Sequence, residues 1–347
     1  MKRYLVMWFV GLPILLVMLP AALVYLFSPS SGSGGLPQQT AAPVSGPVHQ
    51  SSVEVKVYRQ EKKTVETLPL EAYIEGVVAA EMPAEFEMEA LKAQAMAART
   101  YIIRRLKSQQ FDDVPGGAQV TDTVKHQAFV DEEQRRENWK EQFTWKNNRI
   151  RQAVLATAGV VLTYDGQPID ATFFSTSNGF TENASEYFES PVPYLKSVAS
   201  PWDIQSPRYE NTVKISLAEL EKRLGVKLAN TASTSGNWYQ ILERTTGNRV
   251  GKVSIGGKEF SGREFREKLG LHSSAFTMEL RGSDVYITTK GYGHGVGMSQ
   301  WGANGMAKTG KTAEQIVKYF YQGVHLENFD PILKEQTASA GKLSANF

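Results

Sequence analysis

The sequence predicts an α+β protein, and three observations carry that reading. Apolar residues recur at helical spacing in two runs, Leu70 to Ala80 and Met88 to Leu106. Elsewhere they alternate, as in V-E-V-K-V-Y (Val53 to Tyr58), and Asp165-Gly166 joins two alternating segments as a hairpin turn. No strand–helix–strand alternation runs along the chain, so a doubly wound parallel sheet is not expected.

Val53 to Tyr58 reads as a half-buried strand. The helix from Leu70 must stop before Pro83, which has no N–H and restricts the residue preceding it. In the next helix Leu91, Ala95, Ala98 and Ile102 share a face. Ala90, Ala93, Ala95, Ala97 and Ala98 there permit close backbone approach. Phe111 to Gln119 is a loop around Pro115, Gly116 and Gly117. Asp131 to Ala158 reads as one polar helix, with Trp139 and Trp145 as its anchors. Val160 to Ser175 is the hairpin turning at Asp165-Gly166, and Ser216 to Leu224 a short helix. Trp238 to Leu242 and Val250 to Ile255 read as strands, with Gly256-Gly257 as a turn. Ser261 and Glu264 form a capping box for a helix ending at Gly270. Residues 207–276 make either a separate lobe or an insertion. Met278 to Lys290 is a hairpin turning at Gly282-Ser283. Helices Met298 to Ala307 and Thr312 to Tyr321 follow, the second with a Thr312/Gln315 box, before a tail (331–347). No internal repeat is present.

At 347 residues there is room for one large or two modest domains. Net charge is +2 and no basic tract with interleaved aromatics occurs, which excludes a nucleic-acid binder. The absence of cysteine excludes disulfides, thiolate chemistry and cysteine-held metal. Lys2 and Arg3 precede an uncharged stretch, Tyr4 to Phe27, long enough to cross a bilayer. We expect residues 1–27 to be a cytoplasmic start and transmembrane anchor, with everything later outside. A removable signal peptide competes, because S-P-S-S-G-S-G-G supplies small residues after Phe27. Residues 28–52, rich in Ser, Gly, Pro and Gln, read as a flexible linker. Residues 53–330 are the expected extracytoplasmic domain.

Two segments promise chemistry. L-P-L-E-A-Y-I-E-G-V-V-A-A-E-M-P-A-E-F (Leu68 to Phe86) delivers Glu81 at the end of an apolar helix. Burial there favours the protonated carboxyl that a glycosidic oxygen needs from a general acid. A helix-terminal Glu paired with Lys or Arg is the competing reading. Glu71, Glu75, Glu85, Glu87 and Glu89 have more polar flanks and read as solvated faces or caps. G-Y-G-H-G-V-G-M-S-Q-W-G-A (Gly291 to Ala303) frames His294 with glycines and adds Ser299, Gln300 and Trp301 as a hydrogen-bonding and stacking edge. It is not a phosphate loop, since no G-K-[ST] follows. Arg99 follows Ala97 and Ala98, an unusual place for a solvated charge, and suits either a salt bridge or a fixed guanidinium at a site. F-F-S-T-S-N-G-F-T-E-N (Phe173 to Asn183) offers Ser175, Ser177 and Asn178 to sugar hydroxyls, or simply makes a turn. P-Y-L-K-S-V places Tyr194 and Lys196 on one side of an extended segment. Asp203 and Glu182 are candidate second carboxylates should the chemistry be hydrolysis. No histidine pair has metal-ligand spacing.

These segments together resemble the stage II sporulation protein D family of peptidoglycan lytic transglycosylases. The resemblance covers most of the chain after about Val53. It implies a catalytic cleft, with the matching glutamate, Glu81, as acid/base and Tyr194 and Lys196 beside it; Arg99, from its own context, is expected to join them as a positioning group. The glycine-rich segment is then expected to line the cleft, with Ser175, Ser177, Asn178, His294, Gln300 and Trp301 contacting sugar. One carboxyl suffices in such an enzyme, because the muramoyl C6 hydroxyl replaces water and leaves a 1,6-anhydro end. Substrate and partners are also implied: glycan strands stripped of stem peptides, an amidase that strips them, and an integral-membrane scaffold. So is a place at the mother-cell membrane of the sporulation septum during engulfment. Some relatives hold zinc through cysteine and histidine; without cysteine that feature does not carry over, and no metal or cofactor is expected. A non-catalytic glycan binder that enhances an amidase is the alternative.

Overall fold

β1 (Glu54–Arg59) buries Val55 and Val57 while Glu54 and Lys56 face out, the period-2 pattern of its sequence. The computed structural model that contains it describes residues 52–188, 191–228 and 238–334. The expected anchor, the linker as far as residue 51 and the tail from 335 lie outside the described residues. Among the described residues no helix is long and apolar enough to cross a membrane.

β1 pairs antiparallel with β2 (Thr64–Pro69), in the register Val57↔Glu66. α1 (Leu70–Glu81) starts directly on Pro69 and buries Tyr73, Ile74, Val77 and Val78. It ends where Met82 turns extended ahead of Pro83. α2 (Met88–Ser108) is buried along most of its length, and its alanines let neighbours approach closely. β3 (Val120–Thr121) then joins β1 in parallel. The expected single helix over 131–158 is instead two. α3 (Glu132–Trp139) is opened by an Asp131/Gln134 capping box. Lys140 adopts a positive φ of 47°, and after a 3₁₀ turn α4 (Phe143–Ala156) sets off anew. Trp139 packs against the core, whereas Trp145 is exposed.

β4 (Val160–Tyr164) and β5 (Gln167–Pro168) form the hairpin at Asp165-Gly166, both with positive φ. The second strand is short: the Ile169 N–H still donates to the Leu162 carbonyl (3.1 Å), but the Leu162 N–H turns to the Thr100 hydroxyl (2.9 Å). β6 (Phe173–Phe174) and α5 (Ala184–Tyr187) follow. β7 (Glu210–Ser216), α6 (Leu217–Leu224), β8 (Tyr239–Arg244), β9 (Val250–Ile255), β10 (Lys258–Ser261), α7 (Gly262–Leu269), β11 (Phe276–Arg281) and β12 (Asp284–Lys290) come next. They surround a second core, where Leu220, Val253, Phe265, Phe276 and Ile287 are buried. β8–β9–β10 and β7–β12–β11 are its antiparallel sheets.

β13 (Met298–Ser299) returns to the first core and pairs in parallel with β6. α8 (Gln300–Lys308) and α9 (Ala313–Phe320) both pack on α2, as do α1, α4 and β4. β14 (His325–Asn328) closes the chain on the edge of β4. The result is α+β with mainly antiparallel sheets.

Candidate active site

α1 buries its apolar face and leaves Glu81 at its last turn, on the wall of a cleft of about 1010 Å³. The chain beyond it is pinned. Arg149 donates from Nε to the Ala84 carbonyl (2.9 Å) and from Nη2 to that of Phe86 (2.8 Å), and Asn304 accepts from the Glu87 N–H (2.8 Å). Burial pushes the Glu81 carboxyl above the usual carboxylate range; the Ala128 N–H and the Gln300 amide oppose it without prevailing. The cleft holds two other carboxylates, both beside cations. Glu85 lies 2.7 Å from Lys146, which outweighs the effect of its partial burial and holds it below the usual range. Asp170 lies 3.6 Å from Arg104.

Across the cleft stands the glycine-rich segment, tied to β6 and the strand end after it. Tyr292 and Thr176 exchange backbone hydrogen bonds, and the Trp301 N–H donates to the Ser175 carbonyl (3.1 Å). Gly295 has a φ of 92°, and a Cβ there would collide with the Arg249 guanidinium packed beneath it. At Gly293 (φ 121°) a Cβ would come within 2.7 Å of Phe174.

His294 reaches the cleft, but both ring nitrogens are occupied within the protein. Nε2 donates to the Phe173 carbonyl (3.1 Å), and Nδ1 accepts from the Val296 N–H (3.1 Å). Phe174, Tyr187 and Phe188 surround the ring. Desolvation, reinforced by Arg249 and Arg266, lowers its pKa to about 4. The expected sugar-binding histidine is therefore a neutral fastener of the glycine segment. The unfolded chain takes up this proton near 6.5 and the folded one only near 4, so stability present above 6.5 drains as pH falls. His294→Ala is expected to melt below the wild type at pH 7, and to lose less further stability between pH 6.5 and 4. Melting curves across that window test this; a gap independent of pH would remove the histidine from this account.

Ser175, Gln300 and Trp301 line the cleft as expected. Trp301 packs edge-on against Phe86 (5.0 Å). Gln300 is 6 % exposed, and its Nε2 makes no well-formed hydrogen bond among the described residues, leaving a donor at the Glu81 carboxyl. Other expected site residues are held elsewhere. Ser177 is buried, its N–H donating to Asp203 (2.7 Å), and Asn178 donates to the Gly247 carbonyl (2.9 Å). Asp203 is enclosed by Ser177, Ser200 and Ser299, and Glu182 by Thr245 and Gly247; neither lines the cleft.

Arg99 requires the clearest correction. It is fully buried and grips Glu71 through Nε (3.0 Å) and Nη2 (2.7 Å), away from Glu81. Glu71, expected as a solvated face or a cap, is thus the core partner of Arg99. The Tyr194 hydroxyl accepts from the Asp170 N–H (2.9 Å), and its ring rests on Tyr164. Lys196 is exposed, and neither residue lines the cleft. Tyr194 therefore touches the site only through Asp170. Pro193-Tyr194 forms a turn, so the extended geometry that put both side chains on one side is absent. The cleft is also lined by Trp139, Lys146, Asp170, Arg208, Arg266 and Tyr292. Of these, only Tyr292 stands in a segment whose sequence promises chemistry; Trp139 reads from the sequence as a helix anchor. Among the described residues no group of three His, Asp or Glu side chains is placed to hold a metal ion.

A family model described as Stage II sporulation protein matches residues 58–164, from β1 through Glu81 to β4. Stage II sporulation protein D of Bacillus subtilis (strain 168) is 43 % identical over 332 residues, covering 93 % of this chain and 96 % of that protein. The chain belongs to the stage II sporulation protein D family. The Bacillus amyloliquefaciens member is 44 % identical over 94 % of this chain and 97 % of its own length. A protein named Amidase enhancer, from Bacillus subtilis (strain 168), is 29 % identical over 74 % of this chain but spans 40 % of that protein. In this member of the family the family model takes in Glu81 and Arg99, while the glycine-rich wall lies beyond its matched range.

Proposed function

We propose that this chain is a membrane-anchored lytic transglycosylase that cuts denuded peptidoglycan strands during engulfment, with Glu81 as its single acid/base. One observation carries the reading: of the cleft's carboxyls, Glu81 is the one that burial favours in its protonated form and that no cation among the described residues neutralises. Protonated Glu81 donates to the glycosidic oxygen as the bond to the anomeric carbon breaks. The muramoyl C6 hydroxyl attacks that carbon, and its proton passes to the Glu81 carboxylate. The acid is regenerated and a 1,6-anhydro end remains. The Ala128 N–H and the Gln300 amide favour the carboxylate that exists between these transfers. Trp301 and Tyr292 offer aromatic faces to sugar rings. Asp203 and Glu182, enclosed elsewhere, give no support to a hydrolytic pair.

The uncharged stretch from Tyr4 to Phe27 supports anchoring, with the cleft outside the cytoplasm. An amidase that strips the strands and an integral-membrane scaffold are the proposed partners. The relative named Amidase enhancer favours a second reading, a glycan binder that activates an amidase. A single preparation tests both. The full chain should sediment with membranes and, extracted in detergent, should release 1,6-anhydromuramoyl ends from denuded strands. Bound but uncut strands would favour the enhancer; a soluble protein beginning near Ser28 would show a cleaved signal instead.

A further inference from the structure

Two cleft guanidinium groups have no carboxylate partner among the described residues. Arg208 follows the 3₁₀ turn Pro201–Gln205 and is exposed, with its Cζ 5.0 Å from the centroid of the Tyr292 ring. Arg266, on α7, donates from Nε to the Leu271 carbonyl (3.2 Å) and from Nη1 to the Tyr187 hydroxyl (3.2 Å). The other cleft cation, Lys146, is neutralised by Glu85. The cleft's unspent positive charge is therefore Arg208 and Arg266. Both line the same cleft, and the Tyr292 ring beneath Arg208 is met edge-on by His272 at 4.5 Å. The His272 imidazole is held below its usual range by burial first, then by the charges of both arginines. The planar fork of a guanidinium selects a planar anion over a neutral group of the same shape.

We propose that Arg208 and Arg266 form a carboxylate subsite, which takes the free lactyl carboxylate of a muramoyl residue in the bound strand. The proposal rests on the glycan reading above and deepens it. A stem peptide converts that carboxylate into a neutral amide, which can accept a single hydrogen bond from a guanidinium but cannot form the bidentate ion pair. The pair thus turns the presence or absence of peptide into a difference in affinity.

Binding measured without turnover separates this from the catalytic reading. The full chain carrying Glu81→Gln, in detergent, is cosedimented with three ligands: denuded strands, the same strands with lactyl carboxylates converted to methylamides, and an N-acetylglucosamine oligomer without carboxylates. Amidation is expected to weaken binding on the order of tenfold to a hundredfold, the range for a lost charge-assisted contact. Added salt should narrow the gap. Arg208→Gln in the same background should bind denuded strands as weakly as amidated ones and leave oligomer binding unchanged. Arg208 is the chosen position because it is exposed; Arg266→Lys, which keeps the charge but loses the fork, should give an intermediate loss. Equal binding of free and amidated strands, or an Arg208→Gln loss equal for all three ligands, overturns the subsite. If wild type yields no 1,6-anhydro ends while the carboxylate preference persists, the transglycosylase reading fails and the subsite stands.

Discussion

Glu81→Gln is expected to lose strand cleavage by ~10² to 10⁴-fold, the usual contribution of a general acid–base group. The substitution keeps the volume and planar shape of the side chain, so the cleft wall should stand. It also removes a carboxyl whose ionised form burial disfavours, so stability should hold or rise slightly at neutral pH. The pH profile gives a second readout. Because the Glu81 pKa is raised, the donating form is present at low pH and is lost as pH rises through that value. The wild-type rate should therefore carry a falling alkaline limb at a pH above the ordinary carboxylate range, and the residual rate of Glu81→Gln should lack it. Product analysis by chromatography, with circular dichroism to check the fold, tests this. Cleavage above a tenth of wild type would sink the assignment.

What the sequence revealed depended on how local the determining interactions are. α1 and α2 were legible because their apolar spacing is helical and Pro83 must separate them. The β11–β12 hairpin was legible because its turn lies in the chain itself, at Gly282-Ser283. The parallel pairing of β6 with β13 was not, since it joins Phe173 to Met298 through two short segments without a periodic signal. The break at Lys140 was also hidden: a positive φ at lysine leaves no mark in composition. The site divides in the same way. Glu81, Gln300 and Trp301 stand in segments whose unusual composition drew attention, and the fold brings them to one cleft. Ser177 and Asn178 have the right chemistry for sugar, yet the Ser177 hydroxyl donates to the Ser200 carbonyl and the Asn178 amide to that of Gly247. Residue type states what a side chain can donate, but only the tertiary fold states to whom. Arg208 and Arg266 look like any surface arginines until the cleft gathers them.

The largest stability effect should come from Arg99. Its guanidinium is fully buried and meets both oxygens of Glu71, the Val154 carbonyl (3.2 Å), the Val160 carbonyl (3.1 Å) and the Thr157 hydroxyl (3.4 Å). These partners belong to α1, the end of α4, and β4, so a single side chain joins three elements around α2. A positive charge also suits the carbonyl-rich end of α4. Arg99→Met fills similar volume but strands the Glu71 carboxylate, whose side chain is 13 % exposed, and leaves buried carbonyls without their donor. Breaking a buried pair from one side typically costs ~3–5 kcal/mol. The Arg99→Met, Glu71→Gln double variant should cost less than the sum of the two single ones, because no charge is then left unpaired. Denaturant midpoints for the four proteins give the coupling. Activity separates this core role from a catalytic one. At a temperature where Arg99→Met is still folded, its kcat and KM should match the wild type. A variant with wild-type stability and a kcat reduced a hundredfold would instead return Arg99 to the reaction.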